Sequence, residues 1–428
     1  MERKQIAPGV YLTTLEAEKF NRCRIAIHLR FQATRAGATA DAVLPLVLER
    51  GNAACPDMTR LSRKLAQLYG ADLGADLTPA GNDRVLSASV CGIKDRFALA
   101  GESLATEYAD LVFDTIFRPY LVDGVFDAEA VQIEKETLAR RIQTEINDKR
   151  RYCVRQARRK FYGDTPAGIE INGYLRDLPQ VTPAALKAEY DRILAVASID
   201  VMVQGTDPDR VAELLLRRLA TFRRDPAPLS LPFAMPRTAL QHYSEKLPGL
   251  TQAKLCMLFT RGGTENLPTV AVLRMAMGVY GGTVTSRLFR NVREKQSLCY
   301  YCGASAQRVA GVMMVDSGVE PGQETKAEQA ILKELRALQN HPVAEDELED
   351  CRRALLSGFD AIGDTLASTE LWYYNQILRD EALAPPEYEK VLTEAVTREQ
   401  IQQALRGYSY SVCYAVTADG QKEETDDE

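Results

Sequence analysis

Hydrophobic and polar residues follow one pattern that occurs twice along the chain. The segment VTPAALKAEYDRIL (181–194) predicts an amphipathic helix with Thr as its N-cap, and the apolar strand IDVMVQG (199–205) follows it. The segment VTREQIQQALRGY (396–408) predicts a second such helix, and the strand SVCYAVT (411–417) follows that one. The spacing between the two copies indicates an internal repeat of about 215 residues.

The elements before these two segments also correspond. Charged amphipathic helices are predicted at 126–146 and 344–362, and alternating strands, RVLSASVCGI and AGVMMVDSGV, precede them. The order strand, helix, strands, long helix, helix, strand therefore occurs twice. We predict an α+β fold of two tandem homologous domains, each a mainly antiparallel sheet covered by helices.

A proline-rich stretch separates the two copies. Four prolines between residues 221 and 240 forbid a regular helix and predict an extended linker. The predicted organisation is a domain at 1–220, a linker at 221–240, a domain at 241–420 and an acidic tail at 421–428.

Composition narrows the classes of function. With 46% hydrophobic residues in 428, the chain can build full cores, and its net charge of −6 argues against nucleic acid and anionic membranes as partners. No run of 18 apolar residues predicts a membrane span, and the N-terminus has no apolar signal region. Nine scattered cysteines fit reduced thiols, so we expect a cytoplasmic protein.

Two of these cysteines, Cys299 and Cys302, form a C-x-x-C pair. The surrounding sequence predicts a strand, on which residues three apart face opposite sides. No second cysteine pair accompanies them, so we expect neither a zinc site nor a redox pair here.

The segment YGGTVTSRLFRNVREKQSLCYYC (280–302) is the most informative one. Gly281 and Gly282 predict a sharp turn with positive φ, SRLFRNVREK predicts a helix, and a strand is expected to begin near Ser297. The phrase resembles the second-domain signature of the insulinase-like zinc peptidases, which include pitrilysin and mitochondrial processing peptidase. The resemblance covers nearly the whole chain.

The resemblance implies a role for Arg293 and Tyr300. In the family, the Arg and Tyr at these positions reach across to a zinc site on the opposite domain. A guanidinium and a phenol can both donate hydrogen bonds to a peptide carbonyl as it becomes an oxyanion. The alternative is that Arg293 pairs with a nearby acid and Tyr300 only packs. The resemblance favours the functional interpretation.

The catalytic motif of the family is missing. Active members carry H-x-x-E-H on a helix of the first domain, where two His bind zinc and Glu is the general base. The matching segment here is DAVLPLVLERGNAACPD, with Ala42 and Leu46 at the His positions and Pro45 at the Glu position. Arg141 stands at the position of the third ligand, a Glu. We therefore expect no bound metal, no cofactor and no peptidase activity of its own.

The other candidate residues do not restore such a site. His28, His242 and His341 have no second ligand at helical spacing, and His28 is expected to be a structural residue in an apolar strand. Glu134 and Glu136, two residues apart on a predicted helix, are expected on a charged solvent face.

The segment IQTEINDKRRYCVRQA (142–157) is further similar to a non-catalytic bacterial branch called YfmF-like, whose members sit beside an active YfmH-like partner. The leading hypothesis is a pseudo-peptidase: an inactive subunit that supplies Arg293 and Tyr300 to a zinc-bearing homologue and helps to enclose unfolded peptides. One alternative is a stand-alone peptide-binding or scaffolding homodimer without a proteolytic role. Another is an unrecognised enzyme that uses other residues.

Overall fold

The structure, a computed structural model, describes residues 1–228, 235–263 and 265–418. The predicted acidic tail at 421–428 and residues 229–234 of the predicted linker lie outside this part of the chain.

The strands are β1 Glu2–Ala7, β2 Val10–Leu15, β3 Arg22–Gln32, β4 Asp72–Ala80, β5 Asp83–Ile93, β6 Leu121–Val122, β7 Val125–Phe126, β8 Ser198–Gln204, β9 Gln241–Leu247, β10 Ala253–Thr260, β11 Cys299–Gln307, β12 Val312–Val319 and β13 Ser409–Ala418.

The α-helices are α1 Ala38–Leu48, α2 Met58–Gln67, α3 Leu104–Phe117, α4 Ala128–Thr144, α5 Lys149–Tyr162, α6 Pro183–Val196, α7 Pro208–Leu219, α8 Val270–Met277, α9 Glu324–Asn340, α10 Glu345–Asp360, α11 Leu366–Leu378, α12 Pro386–Glu394 and α13 Arg398–Arg406. Two π-helices are also present, π1 Gly278–Gly282 and π2 Leu288–Lys295. Short 3₁₀ turns lie at Asp95–Phe97, Glu145–Asn147, Pro166–Gly168, Leu175–Gln180 and Ala361–Asp364.

The repeated helices begin where the sequence predicts. Thr182 caps α6 by accepting a hydrogen bond from the amide of Ala185, and Pro183 occupies the first helical position. Thr397 caps α13 in the same way, and Gln400 completes a capping box there. Both helices lead into the buried strands that the apolar runs predict, β8 and β13.

The chain folds into two compact units. Unit 1 comprises Met1–Gln143, Asp164–Leu231 and Gly363–Leu378, and unit 2 comprises Thr144–Gly163, Pro232–Ile362 and Arg379–Glu428. The sheet of unit 1 has the strand order β1-β2-β8-β3-β5-β4, and that of unit 2 has the order β11-β12-β10-β13-β9.

The two sheets share one topology. Starting at β2, the strands of unit 1 lie side by side in the order β2-β8-β3-β5-β4, and those of unit 2 lie in the order β9-β13-β10-β12-β11. Numbered by their sequence within each set, both orders are first, fifth, second, fourth and third. The first and fifth strands are parallel in both units, and the other pairings within the sheets are antiparallel. The predicted α+β architecture of two homologous, mainly antiparallel sheets covered by helices is confirmed.

The predicted domain boundaries follow sequence order, and two helices depart from that order. Helix α5 belongs to unit 2, where the Cys153 thiol lies 3.5 Å from the carbonyl oxygens of Lys254 and Tyr414. Helix α11 belongs to unit 1, where the Tyr374 ring stacks on His28 at 3.9 Å between centroids. Each copy of the repeat therefore contributes one helix to the other unit.

Among the described residues, no helix combines the length and the apolar character that crossing a membrane requires.

Candidate functional site

Three arginines, one just before helix π2 and two on it, differ in their surroundings. Arg287, just before π2, donates to both carboxylate oxygens of Glu347, and Arg290 contacts Asp350 at 2.5 Å. Both acids lie on α10, so these two arginines attach π2 to a neighbouring helix. Arg293, one turn further on, has no carboxylate partner among the described residues and is exposed.

The Arg293 guanidinium is positioned by an aromatic ring. Its central carbon lies 4.5 Å from the centroid of the Phe289 ring, four residues earlier on π2. This cation–π contact restricts the side chain without using its N–H donors. The same helix buries Leu288 and Val292 in the core of unit 2. Arg293 is therefore presented to solvent from a rigid helix with its donors unused by any described acid.

Tyr300 is the extra residue of a β-bulge. Cys299 pairs with Val319 and Tyr301 pairs with Gly318, so two residues of β11 advance against one of β12. A bulge re-aims the side chain of the unpaired residue. Tyr300 is 50% exposed, and within the described part of the chain its hydroxyl has no hydrogen-bond partner. The alternative in which Arg293 pairs with an acid and Tyr300 only packs does not describe this geometry.

The two glycines before π2 serve close packing. Gly281 and Gly282 lie in π1, and neither has a positive φ, so the predicted sharp turn is wrong. A Cβ on Gly281 would come within 2.8 Å of the Ala304 amide nitrogen on β11 and 2.7 Å of Leu288. Glycine is required because π1 and β11 touch at the backbone. The residue that does adopt a positive φ is Ser297, at 51°, where the chain turns into β11.

The bulge also changes the relation between Cys299 and Cys302. Both thiols are buried and interact with each other, so the prediction that they face opposite sides is wrong. The hydrogen bond from Cys302 lowers the pKa of Cys299, and Ser317 and the Arg293 guanidinium lower it further. Arg293 is thus close enough to the start of β11 to act on its electrostatics.

The positions of the missing zinc motif lie on α1. Ala42 and Pro45 are buried, and Leu46 is partly buried against the unit 1 core. Residues four apart share one face of a helix, so Ala42 and Leu46 have the relation that two His ligands would have. A methyl group, a proline ring and an isobutyl group offer no lone pair to a cation.

The polar groups around α1 are engaged within unit 1. The Glu49 carboxylate accepts a hydrogen bond of 2.7 Å from the Ala75 amide on the edge strand β4. Burial raises the pKa of Glu49, and the Ala75 amide and Arg141 oppose that rise. Glu134 is buried and pairs with Arg50 at 2.8 Å, so its predicted place on a solvent face is wrong.

These residues do not fit a zinc ion. Arg141, at the position of the third ligand, is exposed on α4 and acts electrostatically on Glu49. A guanidinium has no lone pair for a metal and repels a cation. With Ala42, Pro45 and Leu46 at the other positions, the donor set of the family is absent, and no hydrolytic step can be assigned to it.

The histidines divide into two kinds. His28 is buried on β3, with Nδ1 2.8 Å from the Ser87 hydroxyl and Nε2 3.3 Å from Glu370, so its interpretation as a structural residue is confirmed. His242 on β9 instead joins Glu328 and Cys413 in unit 2. These residues are more than 80 positions apart, and no local spacing in the sequence could have connected them.

Comparison with known proteins points to one family. Residues 180–355 match the family model described as Peptidase M16 inactive domain. The curated "Probable inactive metalloprotease YmfF" of Bacillus subtilis (strain 168) is 26% identical over 408 residues, which cover 94% of each chain. The chain is similar to M16 peptidases over nearly its whole length. The resemblance to insulinase-like zinc peptidases is thereby confirmed.

Solved structures of other proteins share the fold. A conserved protein from Enterococcus faecalis V583 superimposes with a TM-score of 0.88 at 24% identity, over 99% of both chains. A structure of the peptidase M16 inactive domain from Pseudomonas fluorescens gives 0.76 at 17% identity, also over 99% of both chains. The fold of these structures therefore extends over the whole chain, whose sequence lacks the H-x-x-E-H motif.

Proposed function

We propose that this M16 homologue is the non-catalytic subunit of a zinc metallopeptidase complex. It supplies Arg293 and Tyr300 to the active site of a zinc-bearing M16 partner and helps to enclose an unfolded peptide. The partner provides the metal and the general base, because the corresponding positions of this chain are Ala42, Pro45 and Leu46.

The observation that carries this proposal is that the side chains of Arg293 and Tyr300 are exposed and have no polar partner among the described residues. Two other arginines at the same helix hold ion pairs with α10, whereas Arg293 presents its N–H donors to solvent over Phe289. Tyr300 is the extra residue of a β-bulge, and its side chain is exposed. Leaving two strong donors exposed on rigid elements is what recognition of a ligand supplied from outside requires.

The two side chains suit the transition state of peptide hydrolysis. As water adds to the peptide carbonyl, negative charge develops on its oxygen, and a guanidinium and a phenol both donate hydrogen bonds to such an oxygen. Donors fixed before the reaction need no reorganisation when the charge appears. Their contribution is therefore to the rate of the chemical step.

Peptide binding and cellular location are parts of the same proposal. Strand β11, which begins beside Tyr300, is an edge of the unit 2 sheet and can pair with an extended peptide by strand addition. A relative is named a probable inactive metalloprotease, which fits an inactive member of a heterodimer. All nine cysteines are unpaired thiols, which supports a cytoplasmic location.

The test is a peptide-cleavage assay on this chain mixed with a purified zinc-bearing M16 homologue from the same genome. Arg293→Ala should lower kcat by about 100- to 1,000-fold, the usual effect of removing one oxyanion donor. Tyr300→Phe, which removes only the hydroxyl, should lower kcat in the same direction. Arg290→Ala is the matched control, because its guanidinium is held by Asp350, and it should cleave near the wild-type rate.

Two results would contradict the proposal. Equal cleavage by the wild-type and Arg293→Ala mixtures would remove Arg293 from catalysis. A stable homodimer in native mass spectrometry that binds peptides and ignores the zinc-bearing homologue would support the scaffolding alternative.

A further inference from the structure

Three metal-binding side chains of different chemistry meet on one face of the unit 2 sheet. They are His242 on β9, Cys413 on β13 and Glu328 on α9, and one ligand atom of each lies within 4.8 Å of the other two. Nitrogen, sulfur and carboxylate oxygen are the donors that Zn²⁺ binds in proteins. None of the three is a position of the H-x-x-E-H motif, which lies on α1 in the other unit.

Backbone pairing fixes two of the three donors. Strands β9 and β13 run parallel, and Cys413 is the register partner of His242. Their Cβ atoms therefore lie side by side on the same face of the sheet. Both strands are ordered by the sheet, so this pair of donors exists before any metal binds.

The third donor comes from the helix that covers this face. The Glu328 carboxylate lies 2.9 Å from Nε2 of His242 and accepts a hydrogen bond of 2.8 Å from the Tyr410 hydroxyl. Tyr410 reaches the same face as Cys413 because Ser411 is the extra residue of a bulge against β10. An outer hydrogen bond of this kind orients a ligating carboxylate.

We propose that His242, Glu328 and Cys413 bind one Zn²⁺, or a similar thiophilic divalent cation, with water as the fourth ligand. The Cys413 thiol also contacts the Tyr410 side chain, which bonds Glu328 as well, so the three metal-binding groups belong to one connected cluster. On binding, the thiol proton leaves to solvent and the sulfur coordinates as thiolate.

The adjustment that coordination requires is small. Tetrahedral Zn²⁺ with these ligands needs about 3.4–3.6 Å between donor atoms. Nε2 and the Glu328 oxygen must therefore separate slightly from 2.9 Å, and the sulfur must move inward from at most 4.8 Å. The His242 side chain is 56% exposed and can turn, whereas Cys413 is buried. The ion enters from the His242 side, which also supplies the water.

The experiment is a Co²⁺ titration of the tag-free, metal-stripped full-length chain, followed by displacement with Zn²⁺. We expect one ion per chain and a thiolate-to-Co²⁺ charge-transfer band in the near ultraviolet. His242→Ala and Cys413→Ser should each lose that band and weaken affinity by at least about 100-fold. His341→Ala, another exposed histidine outside the cluster, should bind as the wild type does.

Thermal unfolding gives an independent readout. Saturating Zn²⁺ should raise the Tm of the wild type and of His341→Ala, because a ligand bound only to the folded state stabilises it, and it should not raise the Tm of His242→Ala. Since His242 is exposed, this variant keeps the fold even if Cys413→Ser does not. Absence of saturable Co²⁺ binding by the wild type, or equal binding by His242→Ala, would overturn the proposal.

Discussion

Strands β4 and β11 occupy the same place in the two units, and their difference is instructive. Each is the third strand of the shared five-strand topology, counted from β2 or β9, and forms an edge of its sheet. Strand β4 pairs with β5 from Asp72 to Ala80 without a register shift, whereas β11 begins with a bulge at Tyr300. The same topology therefore carries a regular edge in one unit and a re-aimed aromatic side chain in the other.

The polar groups near the two strands differ in the same way. Beside β4, Glu49 bonds the Ala75 amide, Glu134 pairs with Arg50, and the zinc-motif positions are apolar. Beside β11, Arg293 and Tyr300 have no described polar partner. In the first region the polar groups bond to other groups of unit 1, whereas in the second region two hydrogen-bond donors are exposed.

The largest expected effect is on the free energy of unfolding and concerns the buried contacts at α1. Arg84 is 2% exposed and donates to the carbonyl oxygens of Ala38 and Glu170 and to the Asp41 carboxylate. Arg84→Met should cost about 3–5 kcal/mol in the free energy of unfolding, since it leaves these buried acceptors unsatisfied. Urea denaturation measures the loss.

Arg35→Met is the matched control. Arg35 also pairs with an aspartate, Asp177 at 2.5 Å, but its side chain is 41% exposed. Its loss should cost less than about 1 kcal/mol. If the two variants lose the same free energy of unfolding, the buried contacts of Arg84 at α1 stabilise the chain no more than an exposed ion pair does.

The second prediction concerns the packing beneath β11. Gly281→Ala places a Cβ against the Ala304 backbone and Leu288, and it should cost about 1–3 kcal/mol in the free energy of unfolding. Gly358→Ala in α10 meets no atom within 4 Å and should stabilise the chain by about 0.5–1 kcal/mol. If both substitutions stabilise, the close approach of π1 to β11 is not a constraint.

The third prediction is a pH dependence in the α1 region. Burial raises the pKa of Asp41 from 3.8 to about 8, and a hydrogen bond with Glu189 adds to that rise. Because the folded pKa is above the unfolded one, the contribution of Asp41 is fully present below about pH 4 and is lost as the pH rises through about 8.

Asp41→Asn, which cannot ionise, tests this sign. The free energy of unfolding of the wild type, relative to that of the variant, should fall between about pH 4 and pH 8. Hydrogen bonds with Arg192 and Asp41 outweigh burial and lower the pKa of Glu189, so this group titrates in the opposite sense and reduces the fall only near its own unfolded pKa. A constant difference across this range would show that Asp41 does not hold its proton in the folded chain.

Much of the fold was predictable because local signals agree with it. The Thr caps of α6 and α13 and the apolar runs of β8 and β13 lie where the sequence places them. The membership of α5 and α11 was not predictable. Both are amphipathic helices next to longer ones, and their sequence does not encode which of two similar sheets will cover them.

At the candidate site, the sequence predicted the helix and the strand that carry Arg293 and Tyr300, but not their detailed geometry. The helix around Arg293 was expected, but its π-type winding and the bulge at Tyr300 were not. A bulge depends on pairing with a strand twenty residues away, and the period of side chains along one strand cannot show it. The error over Cys299 and Cys302 has the same cause.

The membership of α5 and α11 has a consequence for how such a chain could arise and be dissected. A break in the peptide backbone between the halves would leave each fragment with a helix it cannot use and without one it needs. The fragments should therefore fold only when they are present together. A single-copy ancestor would have had to exchange this helix between two molecules, and gene fusion would then have made that exchange permanent within one polypeptide.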